Sequence, residues 1–478
     1  MTDVDPAIPV PRSGAGPALT AFDLARSTGG RLLARSDRPI RGAAVDSRLV
    51  AGDELFVALP GERTDGHAHL VEAVRRGASA LVVTRPVDDP AVLGDVTVVR
   101  VADGVAALGA IASDWRRRFT PIVIGITGSI AKTSTKEAVA AVMAAVRPTL
   151  RSEGNQNNEI GLPLTLLRLT PEHEVAVLEM GMYVGGEIAD LARIAQPSIG
   201  LVTAVQSVHL SRIGSLDAVE AAKGELLEAL PSSGVAVLNA DDPIVTRMDH
   251  RTAARVLRYG FAATADVRAE AVSAAGFDGM RFRLRTPVGG QEAVIPALGR
   301  LSVHNATAAA AVGIASGIPL DAIVGALAGG WSAPHRVQLV RLAGTTLVDD
   351  SYNASPGSVR AALELLGELP GRPVAVLGEM LELGDDHEAS HRAVGRAAGA
   401  TAELLVVVGR AAGGIVAGAT EAGLDRARIH PVDDVEGALD VLRPRLREGD
   451  VVLVKASRGI GLDRLVDALR QELGGAPA

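Results

Sequence analysis

A phosphate-binding pattern occupies residues 125–136, which read Gly-Ile-Thr-Gly-Ser-Ile-Ala-Lys-Thr-Ser-Thr-Lys. The segment follows an apolar run and opens a helix-prone one, which is the strand–loop–helix setting that such a loop requires. Backbone N–H groups at a helix N-terminus bind phosphate oxygens, a lysine reaches the β- and γ-phosphates, and a hydroxyl holds Mg²⁺. Lys132 and Thr133 are the two side chains that fit these roles. The other residues of this predicted ATP-binding loop are Thr127, Gly128, Ser129, Ile130, Ala131 and Ser134.

Ala131 departs from the usual form of the loop, which has glycine immediately before the lysine. An alanine fits at this position if its φ is negative, although its methyl group then lies near the nucleotide. We therefore expect Ala131 to adopt a negative φ and the loop to keep its ability to bind phosphate.

Lysine is rare in this chain, because only four of the 48 basic residues are lysines and the others are arginines. A lysine retained against such a background indicates a place where guanidinium cannot replace an ammonium group or a free amine. Three of the four, Lys132, Lys223 and Lys455, lie in segments that resemble known chemistry. Lys136 has no such role, and we expect it on a helix surface.

The elements that position these residues follow an alternating pattern. Short β-branched runs such as PIVIGIT (121–127) and EVAVLEM (174–180) alternate with stretches of helical period, which predicts βα units in largely parallel sheets. A basic, proline-ended stretch at 113–121 and a Gly/Pro-rich break at 329–336 divide the series. The sequence therefore predicts an α/β protein of three domains, at about 1–115, 116–333 and 334–478.

Composition excludes several classes of protein. The net charge of −8 argues against a nucleic-acid binder with a basic surface, and the absence of cysteine excludes disulfides, thiolate metal sites and a cysteine nucleophile. No uncharged apolar run reaches about 18 residues, and the acidic N-terminus is not a signal peptide. We expect a cytoplasmic monomer without membrane insertion, with a loose start of about 17 residues and a loose GGAPA tail.

Several motifs occur in a specific order downstream of the loop. They are GNQNNEIGLPLTLL (154–167), LEMG with GEI (178–188), HLSRIGSLDAVEAAKGEL (209–226), NADDP (239–243), DDSYNASPGS (349–358), GEMLELG (378–384) and KASRG (455–459). Together with VDSRLVAGDELFVALPGERTDGHAHL (45–70), this succession resembles the Mur ligase family from about residue 40 to the C-terminus.

The resemblance implies an ATP-dependent acid–amine ligase. It implies an N-terminal α/β nucleotide-sugar domain, a central P-loop ATPase-like parallel-sheet domain, and a C-terminal Rossmann-like α/β domain for the incoming amine. ATP would phosphorylate a substrate carboxylate, and an amine would attack the acyl phosphate, with two Mg²⁺ ions neutralising charge. The signatures are most similar to those of the member that joins D-alanyl-D-alanine to UDP-MurNAc-tripeptide in peptidoglycan precursor synthesis.

Family similarity also implies roles for individual residues of the ATP site. Glu179 and His209 match Mg²⁺ ligands, and Lys223 matches a lysine that is carbamylated and ligates the second Mg²⁺. Asn305 matches an adenine contact, Arg336 an arginine at the γ-phosphate, and Asp350 an aspartate that positions the ribose or the linker. Lys132, Lys223, His209 and Arg336 are the predicted catalytic residues.

The same similarity implies two groups of substrate-binding residues. For the carboxylate of the incoming dipeptide they are Tyr352, Asn353, Lys455, Ser457 and Arg458. For the UDP-sugar they are Asp46, Ser47, Arg48, Gly66 and His67, with Asn157 and Asn158 at the pyrophosphate or the acyl chain.

Two alternatives stay open. The chain could be an amide ligase of the same fold for another acid and amine, or a nucleotide-binding scaffold without catalysis. The reason for considering the scaffold is that the sequence departs from the family pattern at Ala131, Leu301, Ser355 and Ala456. The retention of Lys132, Lys223 and Lys455 in so lysine-poor a chain favours a working enzyme.

Overall fold

The structure is a computed structural model that describes residues 16–61, 64–87, 89, 93–206 and 213–474, and a short strand at 476–477. These residues form three sheets that follow one another along the chain, each with helices packed on it. None of the helices within the described ranges is long and apolar enough to cross a membrane.

The first sheet contains five strands in the order β1-β5-β4-β3-β2. Its strands are β1 (Arg31–Ala34), β2 (Ala43–Ala44), β3 (Leu55–Val57), β4 (Ala80–Val83) and β5 (Thr97–Arg100), and its helices are α1 (Ala21–Thr28), α2 (Leu70–Arg75) and α3 (Gly104–Arg116). All its pairings are parallel except that of β1 with β5. Asp103 caps α3 by accepting from two backbone N–H groups of its first turn, which fixes where the helix begins.

The second sheet contains nine strands in the order β14-β13-β12-β11-β10-β9-β6-β8-β7. The strands are β6 (Ile122–Thr127), β7 (Thr149–Arg151), β8 (Val175–Glu179), β9 (Ile199–Val202), β10 (Val235–Asn239), β11 (Arg255–Gly260), β12 (Val267–Ala274), β13 (Met280–Thr286) and β14 (Gly289–Ile295). The helices are α4 (Lys132–Ala144), α5 (Gly161–Leu166), α6 (Glu187–Ala195), α7 (Leu216–Glu228), α8 (Pro243–Arg247), α9 (Gly299–Ala315) and α10 (Leu320–Ala328).

The third sheet contains seven strands in the order β19-β18-β17-β20-β16-β15-β21. The strands are β15 (Gln338–Arg341), β16 (Thr345–Asp349), β17 (Arg372–Gly378), β18 (Leu404–Val408), β19 (Ile429–Val432), β20 (Asp450–Lys455) and β21 (Ala476–Pro477). The helices are α11 (Pro356–Glu368), α12 (His387–Thr401), α13 (Gly413–Glu421), α14 (Val435–Leu442) and α15 (Asp463–Leu473).

Parallel neighbours in the second sheet bring the chemistry-bearing residues to one edge. Strands β9, β6 and β8 are adjacent and parallel, and all five residues of β8 are buried because helices cover both faces. The carboxyl ends of these strands, at Thr127, Glu179 and Val202, therefore meet at a single edge, where ligands bind in open α/β sheets. Helix α4 starts at this edge and packs its alanine-rich side against α9.

The predicted fold class is confirmed, with two local differences. Strands β12, β13 and β14 pair antiparallel, so the central sheet is not parallel throughout. The alternating burial of β13 and the turn after Thr286 explain the hairpin, since one face of an antiparallel pair can remain in water. The tail is not loose along its whole length, because β21 pairs with Val340 and Arg341. The domain boundaries stay a prediction.

Candidate active site

A cleft of about 970 Å³ separates the helix-bearing edge of the second sheet from the third sheet. Residues 129–134 and the start of α9 line one side of it. Residues around 350–358 and 455–459 line the other side. The seam predicted between the second and third domains, from Gly329 to Arg336, also lines the cleft.

The phosphate loop is held in place by the segment that follows β9. The Ser129 N–H donates to the Ala204 carbonyl (2.8 Å), and the Thr203 hydroxyl donates to the Ile130 carbonyl (2.6 Å). Gly128 has a φ of +148°, and a Cβ added there would lie 1.9 Å from the Thr203 Oγ1 atom. Glycine is therefore required at 128 by both backbone conformation and close packing.

Ala131 adopts the left-handed conformation, with φ +62° and ψ 4°, so the expectation of a negative φ is wrong. The residue is the N-cap of α4, and its carbonyl accepts from the Thr135 N–H (2.9 Å). The chain must turn into the helix at this point while residues 128–130 stay fixed against Thr203, and that closure sets the dihedral angles. An L-residue in this region costs about 1–2 kcal/mol that glycine would not.

Lys132 begins α4 directly after this turn. Its Nζ donates to the Gly128 carbonyl (2.8 Å), which holds the side chain over the loop. Burial lowers the pKa of Lys132, and the nearby Arg336 lowers it further, while Glu179 opposes both effects. An anion bound between Lys132 and Arg336 would relieve their repulsion, which suits this place to a phosphate group.

Glu179 is the strongest candidate for a cation ligand. Its side chain is 1% exposed at the end of β8, and its Oε1 accepts from the Asn157 Nδ2 (2.7 Å). The Oε2 atom is buried and has no hydrogen-bond partner among the residues that the structure describes. A buried carboxylate oxygen without a hydrogen-bond donor, in a cleft that Thr133 also lines, fits a hard cation such as Mg²⁺.

Lys223 lies on α7, as predicted, and is only 3% exposed. Burial holds the pKa of its amine well below the ordinary lysine range, and the charge on Lys132 lowers it further. The environment therefore favours a neutral primary amine, which is the nucleophilic form of this side chain.

Asn305 lies on the same side of the cleft as the phosphate loop. It is 3% exposed on α9, and its Oδ1 accepts from the Thr135 Oγ1 (3.1 Å). That bond joins α9 to the first turns of α4, so the amide is oriented relative to the phosphate loop.

Across the cleft, Lys455 forms a buried ion pair. Its Nζ donates to the Asp350 Oδ2 (2.6 Å) and to the Asn353 carbonyl (2.8 Å). Burial raises the pKa of Asp350, and the Lys455 ammonium opposes that effect. Ser457 is anchored nearby, where its Oγ accepts from the Leu381 N–H (2.9 Å).

Two arginines flank one aromatic ring in the same region. The Arg336 guanidinium lies 4.2 Å from the centre of the Tyr352 ring, and that of Arg458 lies 4.9 Å from it. Guanidinium groups stacked on a ring keep their N–H edges available for anions. The stack therefore presents two positively charged groups to the cleft.

Three segments of the sequence match domains of one family. Residues 39–116 match the Mur ligase family catalytic domain, residues 126–313 the Mur ligase middle domain, and residues 335–458 the Mur ligase glutamate ligase domain. The chain belongs to the Mur ligase family. The resemblance that the ordered motifs carry is thereby confirmed.

Relatives within the family align with most of the length of this Mur ligase chain. It is 40% identical to the UDP-N-acetylmuramoyl-tripeptide–D-alanyl-D-alanine ligase of Mycobacterium tuberculosis H37Rv, over 89% of this chain and 91% of that protein. It is 38% identical to the protein of the same name from Escherichia coli K12, over 91% and 95% of the two chains.

Solved structures agree with the sequence relatives. A crystal structure of MurF from Acinetobacter baumannii matches with a TM-score of 0.85 and 29% identity, covering 96% of this Mur ligase and all of that chain. The MurF ligase of Thermotoga maritima in complex with ADP matches with a TM-score of 0.80 and 28% identity, covering 91% and 98% of the two chains.

Most predicted site residues of this Mur ligase lie in the one cleft. Those that line it are Ser129, Ile130, Ala131, Lys132, Thr133, Ser134, Asn157, Asn158, Glu179, Asn305, Arg336, Asp350, Tyr352, Asn353, Lys455, Ser457 and Arg458. Thr127 and Gly128 belong to the loop but do not line the cleft. Lys223 lies close enough to Lys132 for the charge of Lys132 to lower its pKa. His209 lies outside the described residues.

The predicted UDP-sugar residues lie elsewhere, beside the first sheet. Asp46 caps the short helix Ser47–Leu49 and pairs with Arg48, which lowers the pKa of Asp46. His67 Nδ1 lies 2.6 Å from an Asp65 oxygen, and its Nε2 accepts from the Thr84 N–H (3.0 Å). None of the five predicted residues lines the cleft, so their role stays a prediction.

Sequence reasoning misplaced one residue of this Mur ligase and missed others. Lys136 is fully buried, and the expectation of a surface position is wrong. The retention of a lysine here, in a chain whose basic residues are almost all arginines, was the sequence feature that could have indicated a buried position. Thr203, which holds the loop and directly follows β9, was missed. His335, whose Nδ1 lies 2.8 Å from the Asp349 Oδ2 beside Arg336, carried no sequence signal.

Proposed function

We propose that this chain is an ATP-dependent ligase that joins D-alanyl-D-alanine to UDP-MurNAc-tripeptide in peptidoglycan precursor synthesis. One observation carries the proposal: a single cleft holds the phosphate loop on one side and the Arg336–Tyr352–Arg458 stack on the other. That arrangement can bring a nucleotide, a carboxylate and an incoming amine together. The names of the relatives supply the substrates.

The reaction consists of two successive displacements, the first at the γ-phosphorus of ATP and the second at the acyl carbon. An oxygen of the tripeptide carboxylate attacks the γ-phosphorus of ATP, and the bond to ADP breaks. The dipeptide amine then attacks the acyl carbon, loses a proton and expels phosphate, which keeps the attacking oxygen. Closing the cleft would exclude water from the acyl phosphate, which otherwise hydrolyses.

The residues of the loop side act on the phosphates. Lys132, already oriented by the Gly128 carbonyl, would bind the β- and γ-phosphates, and Arg336 would approach the γ-phosphate from the seam. Thr133 and Glu179 would hold Mg²⁺, which neutralises phosphate charge. Asn305 would contact the adenine, and Asp350 the ribose or the linker between the domains.

Lys223 would be carbamylated and serve as a ligand of the second Mg²⁺ ion. The neutral amine attacks the carbon of CO₂ and releases one proton, so a buried, neutral lysine becomes a carbamate anion. Burial and the charge of Lys132 both support the neutral form that this step needs. The anion would also offset the charge of Lys132. We assign His209 to the same metal site on family similarity.

The residues of the third sheet would bind the amine substrate. Arg458, with Tyr352 beneath it, and Ser457 would orient the dipeptide carboxylate. Lys455 and Asn353 are fixed to each other and would complete this pocket.

The UDP-sugar would bind to Asp46, Ser47, Arg48, Gly66 and His67, in a domain spanning about residues 1–115. The ATPase domain would span residues 116–333, and the amine-binding domain residues 334–478. Asn157 and Asn158 would meet the pyrophosphate or the acyl chain. We place the reaction in the cytoplasm, where ATP is produced.

Phosphate release with purified UDP-MurNAc-tripeptide, with and without D-alanyl-D-alanine, tests this function. We expect release to require both, and Lys132→Ala to abolish it while an exposed control, Arg193→Ala, leaves it unchanged. Phosphate release only when another amine replaces D-alanyl-D-alanine would favour an amide ligase with a different amine substrate. Nucleotide binding without release under any substrate pair would favour a scaffold.

A further inference from the structure

Lys136 is a fully buried lysine one turn beyond Lys132 on α4. It does not line the cleft. Its side chain instead reaches the backbone of residues 152–154, which connect β7 to α5.

The Lys136 ammonium uses three acceptors. Its Nζ donates to the carbonyls of Ser152 (2.6 Å) and Gly154 (3.2 Å) and lies 2.8 Å from the Glu137 Oε1. The other oxygen of Glu137 pairs with Arg151 (2.9 Å), so the contacts tie α4 to the end of β7. An ammonium group has three N–H donors, and the site offers one acceptor for each.

The segment that Lys136 holds reaches Glu179 at two points. The Ser152 Oγ accepts from the Glu179 backbone N–H (3.2 Å). Asn157, further along the same segment, donates its Nδ2 to the Glu179 Oε1 (2.7 Å), and its carbonyl accepts from the Gly181 N–H (2.8 Å). The orientation of the Glu179 carboxylate therefore depends on where residues 152–157 lie.

We propose that Lys136 is a positioning residue for a divalent-cation site at Glu179. By fixing residues 152–154 against α4, it places Asn157 on one carboxylate oxygen and leaves the other bare toward the cleft. The inference rests on the proposed Mg²⁺ site, and it assigns Lys136 a function through Glu179 rather than through contact with the nucleotide.

The chemistry of the site explains why this position keeps a lysine. The pocket has no exposed surface and three acceptors grouped around one atom, which a compact ammonium satisfies. A planar guanidinium is larger and spreads its donors in a fork, so arginine does not fit. An apolar side chain would remove the donor that the two carbonyls and one Glu137 oxygen now share.

Mn²⁺ binding in the presence of ATP, measured by electron paramagnetic resonance on the full chain, tests the inference. We expect Lys136→Met to weaken Mn²⁺ binding by roughly tenfold or more, as loss of a residue supporting a metal ligand does. ADP binding in the presence of EDTA should change by less than about threefold, because the adenine site on α9 remains.

A matched control removes a different tether of the same segment. Arg168 contacts the Glu153 side chain (2.6 Å) and no carbonyl that Lys136 binds, so Arg168→Gln should leave Mn²⁺ binding unchanged. Asn157→Ala should weaken it, and adding Lys136→Met to Asn157→Ala should weaken it little more, since both act through one carboxylate. If Lys136→Met does not fold, Lys136→Gln keeps two of the three N–H donors and should show a smaller loss in the same direction.

Several results would overturn the inference. They are wild-type Mn²⁺ affinity in a folded Lys136→Met or Lys136→Gln variant, an equal loss in Arg168→Gln, and fully additive losses in the double variant. None of these measurements needs turnover. A wild-type chain that binds Mn²⁺ with ATP but forms no product would refute the ligase proposal and leave this inference standing.

Discussion

Replacing Ala131 with glycine should stabilise the protein, which is the opposite of the usual effect of glycine inside a helix. Ala131 has a φ of +62°, in the region that L-residues occupy only under strain. Glycine occupies that region as readily as the right-handed one. The substitution also leaves Lys132 and the loop hydrogen bonds in place.

The magnitude follows from two opposing terms. Relief of the left-handed strain contributes about 1–2 kcal/mol to folding. The extra freedom of glycine in the unfolded chain costs about 0.4–1 kcal/mol. The difference predicts a net stabilisation of about 0.8 kcal/mol, or an increase of roughly 2–3 °C in the Tm of the central part of the chain.

Differential scanning calorimetry of the wild type and the variant, with and without ATP, measures this shift. Ala141→Gly is a matched control in the interior of the same helix, where glycine should destabilise by about 1 kcal/mol. We expect the KM for ATP to change by less than about tenfold, equivalent to 1.4 kcal/mol, because the loop geometry persists.

The sign of the change in Tm shows whether Ala131 is strained in the wild-type protein. A variant at 131 that is destabilised as much as Ala141→Gly would mean that Ala131 has a negative φ in solution and that the strain argument is wrong. A large gain in ATP affinity from an almost inert parent would instead support the scaffold interpretation.

Three further predictions concern Lys223, His335 and closure of the cleft. Lys223→Arg should nearly abolish turnover with the fold intact, and wild-type protein in labelled bicarbonate should show a carbamate carbon signal in NMR that this variant lacks; full activity in Lys223→Arg would contradict the carbamate. The hydrogen bond to Asp349 raises the pKa of His335 above 6.5, so its contribution to stability is complete below that pH and fades as pH rises through the raised value. His335→Gln should therefore lower the Tm more at about pH 6 than at about pH 9, and an equal loss at both would exclude a charged His335. An ATP analogue with UDP-MurNAc-tripeptide should compact the protein in small-angle scattering more than either alone, and an unchanged profile would show that the cleft does not close.

Local sequence predicted the parts of the site that depend on local structure. The phosphate loop, the strand ending at Glu179 and the helix carrying Lys223 each follow from a short pattern and its neighbours. Their convergence at one sheet edge follows from the parallel arrangement of βα units.

The remainder depends on contacts between distant segments. Lys136 is buried by residues 152–154, and no periodicity within α4 shows that contact. The φ of Ala131 is set by closure of the loop against Thr203. Such tertiary constraints override local preference.

The contacts of the two arginines with Tyr352, and the position of the first sheet relative to the cleft, could not be predicted from the sequence either. The sequence supplied Arg336, Tyr352 and Arg458 as separate candidates, but only the fold shows two guanidinium groups on one ring. The position of the first sheet relative to the cleft, and hence of Asp46 and His67, depends on packing between domains rather than on any motif.

Isotope transfer tests the central claim, that the chain forms an amide through an acyl phosphate. UDP-MurNAc-tripeptide with both oxygens of its terminal carboxylate replaced by the heavy isotope is incubated with ATP and D-alanyl-D-alanine, and the products are weighed by mass spectrometry. We predict UDP-MurNAc-pentapeptide that retains one heavy oxygen in the new amide, and phosphate that carries the other. Phosphate without the label, or no pentapeptide in the presence of all three substrates, would contradict the account.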